Sequence, residues 1–387
     1  MIGTSHRAWR REVGTLLLAL ATTLSAQGSE VYYPGPDDQW DKRPPDAVGM
    51  DREKVAQAVK FALAHEVNWL RDVRAQIEVD VAGEPYPQVL GETKERGGPA
   101  GMLVRHGYIV AEWGDVNRVE MSFSVAKSYL SSLAGLAVDH GLIRDIDDPV
   151  WQYVKDGGFD SAHNTRITWR MLLNQTSEWE GVMWDKPDVA DRRRGYGRKL
   201  EEPGSFWEYN DVRVNRLALA LLRVWNQPLP QVLKEQIMDP IGASDSWVWH
   251  GYRNSYVELN GRPVQSISGG SHWGGGLWAS TRDHARFGYL FLRDGNWNGR
   301  QILSERWIRM ATQPTDIVPQ YGYLWWLNTG RKTVPSAPAS DFFAFGSGGN
   351  VIWIDRDYDL LTVTRWLDFG QLDAFAKLVL DSIKSKQ

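Results

Sequence analysis

Met121-Ser-Phe-Ser-Val-Ala-Lys-Ser-Tyr-Leu-Ser-Ser-Leu-Ala-Gly-Leu-Ala137 predicts a helix over 122–140, stopped at Asp139-His140-Gly141. Its many small residues suit a central helix against which other elements pack closely. Ser124 is the only serine in the chain with a lysine three residues later, Lys127. On a helix, positions i and i+3 share a face, so the Lys127 amine lies beside the Ser124 hydroxyl. A serine hydroxyl is a poor nucleophile until a neighbouring base takes its proton. A lysine serves when burial and nearby positive charge depress its pKa. Ser124 also falls near the helix start, where the dipole and free N–H groups favour developing negative charge. Taken alone, the pair reads more readily as an N-cap serine beside a solvated lysine; the other segments reverse that reading.

Working outward, Gly101-Met-Leu-Val-Arg-His-Gly-Tyr-Ile-Val-Ala-Glu-Trp113 reads as a β-hairpin turning at Gly107. Asp51 opens a helical pattern before it. Further helices are expected at 167–175 and 209–226, with a polar loop holding Arg192, Arg193, Arg194, Arg198 and Lys199 between them. Strands are expected at 246–252, 321–328, 350–355 and 359–366, and a closing helix at 372–384. Strands at both ends around a helical middle imply an antiparallel sheet assembled from both ends of the chain, with a helical lobe inserted at about 122–245.

Two other segments carry chemistry. Tyr209-Asn-Asp211 enters a strong helix from Val212 to Trp225. A tyrosine there can act as a general acid or base beside an ammonium. Asp211 either holds Lys127 through a charge-assisted hydrogen bond or simply caps the helix. Tyr252-Arg-Asn254 has a similar pattern, but no apolar helix follows it. Gly346-Ser347-Gly348, within Phe345 to Asn350, runs into the strand from Val351. Small residues there let a substrate approach the backbone, and an N–H near Ser347 can join that of Ser124 as an oxyanion hole. The plainer reading is a Gly-rich hairpin.

The 387 residues carry a net charge of −4, so no basic field recruits nucleic acid. The chain has no cysteine, which excludes disulfides, thiolate catalysis and Cys-based metal sites. The eight histidines show no H-x-H or H-E-x-x-H spacing, and G-x-S-x-G is absent, which argues against a zinc hydrolase and an α/β-hydrolase. The 20 tryptophans imply a thick aromatic core or a flat apolar cleft wall. Arg7, Arg10 and Arg11 precede an apolar run, Val13 to Leu24, and small residues follow up to Gly28. This predicts a signal peptide over 1–28, an extended lead-in over 29–49, and a periplasmic or secreted domain over 50–385. No second run is long enough to span a membrane.

Together these segments resemble the serine β-lactamase and penicillin-binding-protein superfamily, above all its class C β-lactamase-like branch of DD-peptidases, esterases and aminohexanoate-dimer hydrolases. Ile167 to Ser177 and Gly274 to Gly288 extend the resemblance, which covers about 50–385 in matching order. It implies an α/β sandwich with a mainly antiparallel sheet plus a helical domain. It implies Ser124 as acylated nucleophile, Lys127 and Tyr209 as proton relay, and the Ser347 segment as the third motif. The implied reaction is acyl transfer on an ester, amide or peptide-like small molecule, without cofactor or metal. Two departures stand out. Asp211 replaces a usual Asn, and Gly346-Ser347-Gly348 replaces a Lys-Thr-Gly or His-Thr-Gly triplet that helps hold a carboxylate. They favour an esterase or amidase over a β-lactamase or DD-peptidase. A non-catalytic binder of peptidoglycan or an oligomer is the remaining alternative. The 192–199 loop reads as solvated rather than as a carboxylate partner, and His272 as structural.

Overall fold

The hairpin at 101–113 forms as expected, and the turn residues explain it. His106 and Gly107 both hold positive φ (52° and 84°), which suits a two-residue turn between twisted strands. The computed structural model describes residues 1–3 and 31–384; the leader run Val13 to Leu24 lies outside them.

Among the described residues, six strands build the main sheet: β1 (Ala100–Arg105), β2 (Tyr108–Trp113), β3 (Trp326–Leu327), β4 (Phe342–Gly346), β5 (Asn350–Asp355) and β6 (Leu360–Arg365). Their order is β3-β4-β5-β6-β1-β2 and every neighbouring pair is antiparallel. β1 pairs with β6, Ala100 opposite Arg365 and Arg105 opposite Leu360, so the two ends of the chain close one sheet. Five helices matter for the site: α1 (Arg52–Ala64), α2 (Val125–Asp139), α3 (Asp211–Trp225), α4 (Thr281–Leu292) and α5 (Leu372–Asp381).

α1 and α5 bury Val55, Ala58, Phe375 and Val379 in one cluster with Leu103 and Trp353 of the sheet. α4 lies on the sheet through Gly288, where a Cβ would come within 2.5 Å of Leu361 and 2.7 Å of Ile352. Beyond it, α2 is buried continuously from Val125 to Ala137. Gly135 lets α2 meet the Trp307 indole, which a Cβ would approach to 2.4 Å. This is an α/β sandwich with a mainly antiparallel sheet, as expected.

The lead-in packs against the body: Trp40 is buried and its indole donates to the Gly107 carbonyl at 2.7 Å. Two strand expectations need correction. The run at 321–328 is extended only at Trp326–Leu327, because Leu324 turns into left-handed φ (61°). The run at 246–252 continues as Val248–Leu259 and turns back as Arg262–Ile267 through Asn260-Gly261. Trp169, Trp273, Trp307, Trp325, Trp353 and Trp366 are fully buried, which accounts for much of the tryptophan excess. Among the described residues, no helix is long and apolar enough to cross a membrane.

Candidate active site

The turn into α2 is strained. Phe123 has φ 49°, a conformation that costs a non-glycine residue roughly 1–3 kcal/mol and persists only where surroundings enforce it. Its ring is held edge-on against Trp69 and Trp366. Arg365, buried in β6, donates to the carbonyls of Met121 (2.9 Å) and Ala279 (3.0 Å) and to Asn350 Oδ1 (2.6 Å). One guanidinium thereby ties the approach to the nucleophile to the start of β5.

Ser124 occupies the N-cap position of α2, but its side chain caps nothing. Lys127 Nζ donates to Ser124 Oγ at 2.8 Å and to Asp211 Oδ1 at 2.6 Å. Asp211 is the first residue of α3; the cap is Asn210, whose Oδ1 accepts from Arg213 N at 3.1 Å. The capping role considered for Asp211 therefore falls to its neighbour. Asp211 Oδ2 also accepts the His272 N–H at 3.2 Å. Gly270 lies directly on this pair, where a Cβ would fall 2.0 Å from Lys127 Nζ and 2.3 Å from Asp211 Oδ2. Nothing in the sequence singled Gly270 out.

The charge state differs from expectation. Burial alone would lower the Lys127 pKa, but the Asp211 carboxylate, by charge and hydrogen bond, raises it above the ordinary lysine value. Asp211 moves the other way: burial opposes ionisation, and Lys127, with His272 and Arg193, lowers its pKa. Lys127 is thus an ammonium held by a carboxylate, not a lysine with depressed pKa.

Tyr209 presents its ring to Lys127, with Nζ 4.7 Å from the centroid, and packs against Trp207, Tyr321 and Trp326. Tyr252 is buried away from the cleft, its hydroxyl 3.4 Å from Asn215 Nδ2. Gly346 ends β4 against the nucleophile turn: a Cβ there would lie 2.2 Å from Ser122 O and 3.2 Å from Ser124 N. Ser347 follows on the cleft wall. Gly348 does not line the cleft; it takes φ 78° in the turn, against Trp366 and Trp69.

These groups open into a cleft of about 510 Å³ lined by Ser124, Tyr209, Asp211, Gly346 and Ser347. Trp69, Trp207, Trp326 and Phe345 supply apolar walls. One expectation fails here. The 192–199 loop is not a freely solvated stretch. Arg192 is buried against Asp188 (2.9 Å), and Arg198 bonds Glu178 at 2.6 and 2.7 Å and also Glu208. Arg213 joins at 2.6 Å to Glu178. Burial alone would raise the Glu178 pKa, yet these cations bring it down to about 2. His272, read as structural, stands on the cleft wall with Nε2 2.7 Å from Glu84 Oε1. Burial would lower its pKa, but Asp191, Glu84 and Asp211 raise it.

Glu84, Asp191 and His272 bring ligand-type atoms within 4.8 Å of one another, the arrangement in which a metal is to be tested. Their atoms are already matched: His272 to Glu84, Asp191 Oδ1 to Arg193 Nε (2.8 Å), and Asp191 Oδ2 to Asp211 N (2.7 Å). The trio fits a hydrogen-bonded charge cluster better than a cation cage.

The Beta-lactamase family model matches residues 88–365. The chain belongs to the beta-lactamase family. It is 25% identical over 273 residues to a protein of Alkalihalophilus pseudofirmus, covering 65% of this chain and 74% of that one. Its fold is similar to a beta-lactamase from Mycobacterium bovis (TM-score 0.54, 19% identity, covering 80% and 100%). It is also similar to a D-stereospecific amidohydrolase from Streptomyces sp. (TM-score 0.55, 15% identity, covering 87% and 99%). This beta-lactamase family is one of hydrolases built on the serine beta-lactamase fold.

Proposed function

We propose that this chain is a serine hydrolase that cleaves an ester or amide through an acyl-enzyme on Ser124. The observation that carries the reading is Lys127 Nζ bridging Ser124 Oγ at 2.8 Å and Asp211 Oδ1 at 2.6 Å at the edge of an aromatic cleft. Ser124 Oγ bonds to the substrate carbonyl carbon, and the carbonyl electrons move to its oxygen, which faces the N–H groups of Ser124 and Ser347. The step starts from the form in which Lys127 has given up its proton: the amine takes the Ser124 hydroxyl proton, Tyr209 relays it, and it leaves with the departing alcohol or amine. Water then repeats the sequence on the acyl-enzyme. The third motif, Gly346-Ser347-Gly348, offers no cation for a β-lactam carboxylate, which favours ester or amide substrates. Export follows from the basic and apolar leader, and cell fractionation checks it.

The test is a fluorophosphonate probe with a panel of p-nitrophenyl esters, short amide oligomers, D-Ala-terminated peptides and a chromogenic cephalosporin. Labelling and ester turnover are expected in the wild type and absent in Ser124→Ala. Turnover of the cephalosporin alone would overturn the substrate ranking. Binding without labelling or turnover would make the protein a non-catalytic binder.

A further inference from the structure

The loop that carries the buried arginine pairs also sends two arginines into the cleft. Arg193 and Arg194 are exposed and line it. Arg193 is committed to Asp191: its Nε and Nη2 donate to the two carboxylate oxygens at 2.8 and 3.3 Å, and its guanidinium lies 5.0 Å from the Tyr209 centroid. Arg194 is not. Its guanidinium lies over Trp207 (5.3 Å) and Phe206 (5.8 Å) and forms no ion pair among the described residues. Its backbone N–H is fixed to Glu208 Oε1 at 2.9 Å. Arg192 and Arg198 pin the loop on both sides, and Arg192 also donates to the Arg198 carbonyl at 2.9 Å. The loop is therefore a braced arm, and little ordering cost attends binding at its tip.

The carboxylates on the cleft wall are accounted for. Asp211 holds Lys127, and Glu208 holds Arg198 and the Arg194 N–H. Asp80 is exposed and accepts from Gln76 Nε2 at 2.9 Å. A planar guanidinium stacked on an indole, with its N–H edges open, matches a carboxylate in the bidentate manner.

We propose that Arg194, flanked by Arg193, is an anion subsite, and that the preferred substrate is an ester or amide bearing a carboxylate away from the scissile bond. The cation that the third motif lacks is then supplied by a different wall of the cleft. The inference rests on the acyl-transfer reading above.

The test compares mono-p-nitrophenyl glutarate with p-nitrophenyl butyrate, and acetyl-4-hydroxybenzoate with its methyl ester. In the wild type the anionic member of at least one pair is expected to lead in kcat/KM by about tenfold, mainly through KM, with the lead shrinking in high salt. Arg194→Gln should erase that preference, Arg194→Glu should invert it, and Arg194→Lys should keep part of it. An unchanged anionic-to-neutral ratio in Arg194→Gln overturns the subsite. A turnover-free arm separates this from failure of the hydrolase reading. Monomethyl glutarate is titrated calorimetrically into Ser124→Ala and into Ser124→Ala/Arg194→Gln. Weaker binding to the double variant supports the subsite even if no ester is hydrolysed, and equal or absent binding in both refutes it.

Discussion

Two serines, two residues apart, sit in opposite environments. Ser124 opens to the cleft and meets a charged lysine tied to a carboxylate. Ser122 is fully buried, with Oγ 2.8 Å from His284 Nε2, while His284 Nδ1 lies 2.9 Å from the Tyr129 hydroxyl. On distances alone, the Ser122–His284–Tyr129 chain looks the more like a nucleophile–base–orienter triad. It has no route to substrate, and burial, aided by the Arg365 charge, pushes the His284 pKa well below its usual value. The difference is one of access and charge. The sealed chain is satisfied and neutral, and it braces the turn. The open one concentrates charge where a carbonyl can reach it.

The comparison breaks most readily at the serines themselves. Ser124→Ala should cost about 10³-fold or more in ester turnover, because nucleophile and relay act as a unit. Ser122→Ala should retain fluorophosphonate labelling and instead lose stability, about 1–3 kcal/mol, since His284 Nε2 is left without its partner. Swapped outcomes in labelling and in urea unfolding would make Ser122 the nucleophile.

Next in size is Gly270→Ala. A methyl at this position would sit 2.0 Å from Lys127 Nζ, and the nitrogen must move. A displacement of about 1 Å at a reacting centre costs on the order of 10²-fold. The loss should fall on kcat rather than KM; activity close to wild type would show that the pair is not where the chemistry occurs.

Asp211→Asn probes charge without removing a side chain. In the wild type the carboxylate raises the Lys127 pKa, so loss of the lysine proton, and with it activity, is confined to higher pH. With a neutral amide, burial, the largest influence, and Arg193 lower the Lys127 pKa, and Tyr209 still opposes them. The rate–pH profile of Asp211→Asn is expected to extend toward acid, with the neutral-to-alkaline rate ratio changing by about tenfold. Superimposable profiles would mean that Lys127 does not titrate in the rate-limiting step.

These features were unevenly legible in the sequence. The i, i+3 relation of Ser124 and Lys127 is local, so the helix period delivered it. The sheet closing through β1 and β6 followed from apolar runs at both ends of the chain. The loop at 192–199 misled because its counter-ions arrive from Glu178, Asp188 and Glu208, and side-chain composition carries no trace of which carboxylates fold beside it. The partner of His272 was hidden likewise, since Glu84 lies 188 residues away. Gly270 is conspicuous only once two charged side chains occupy the space its Cβ would need. The second hairpin carries a local signal: Asn260 and Gly261 take φ 53° and 74°, the pair of positive values that Asn-Gly favours between strands.

The finest contrast is between two histidines. His284 has a folded pKa below its unfolded value of about 6.5, so its stability contribution is complete above that pH and is lost as pH falls, when the unfolded chain takes up a proton the fold refuses. His272 has a raised folded pKa, so its contribution is complete below about 6.5 and is lost as pH rises through the folded value. Urea unfolding at pH 5.5 and pH 8 separates them. Relative to wild type, His284→Gln should lose less stability on going to pH 5.5, and His272→Gln should lose less on going to pH 8. Each proton is worth at most about 1.4 kcal/mol per pH unit, so the differences are small but opposite in sign. If both variants shift in the same direction, the carboxylates around His272 do not hold its proton, and the contrast between the open and sealed clusters loses its electrostatic basis.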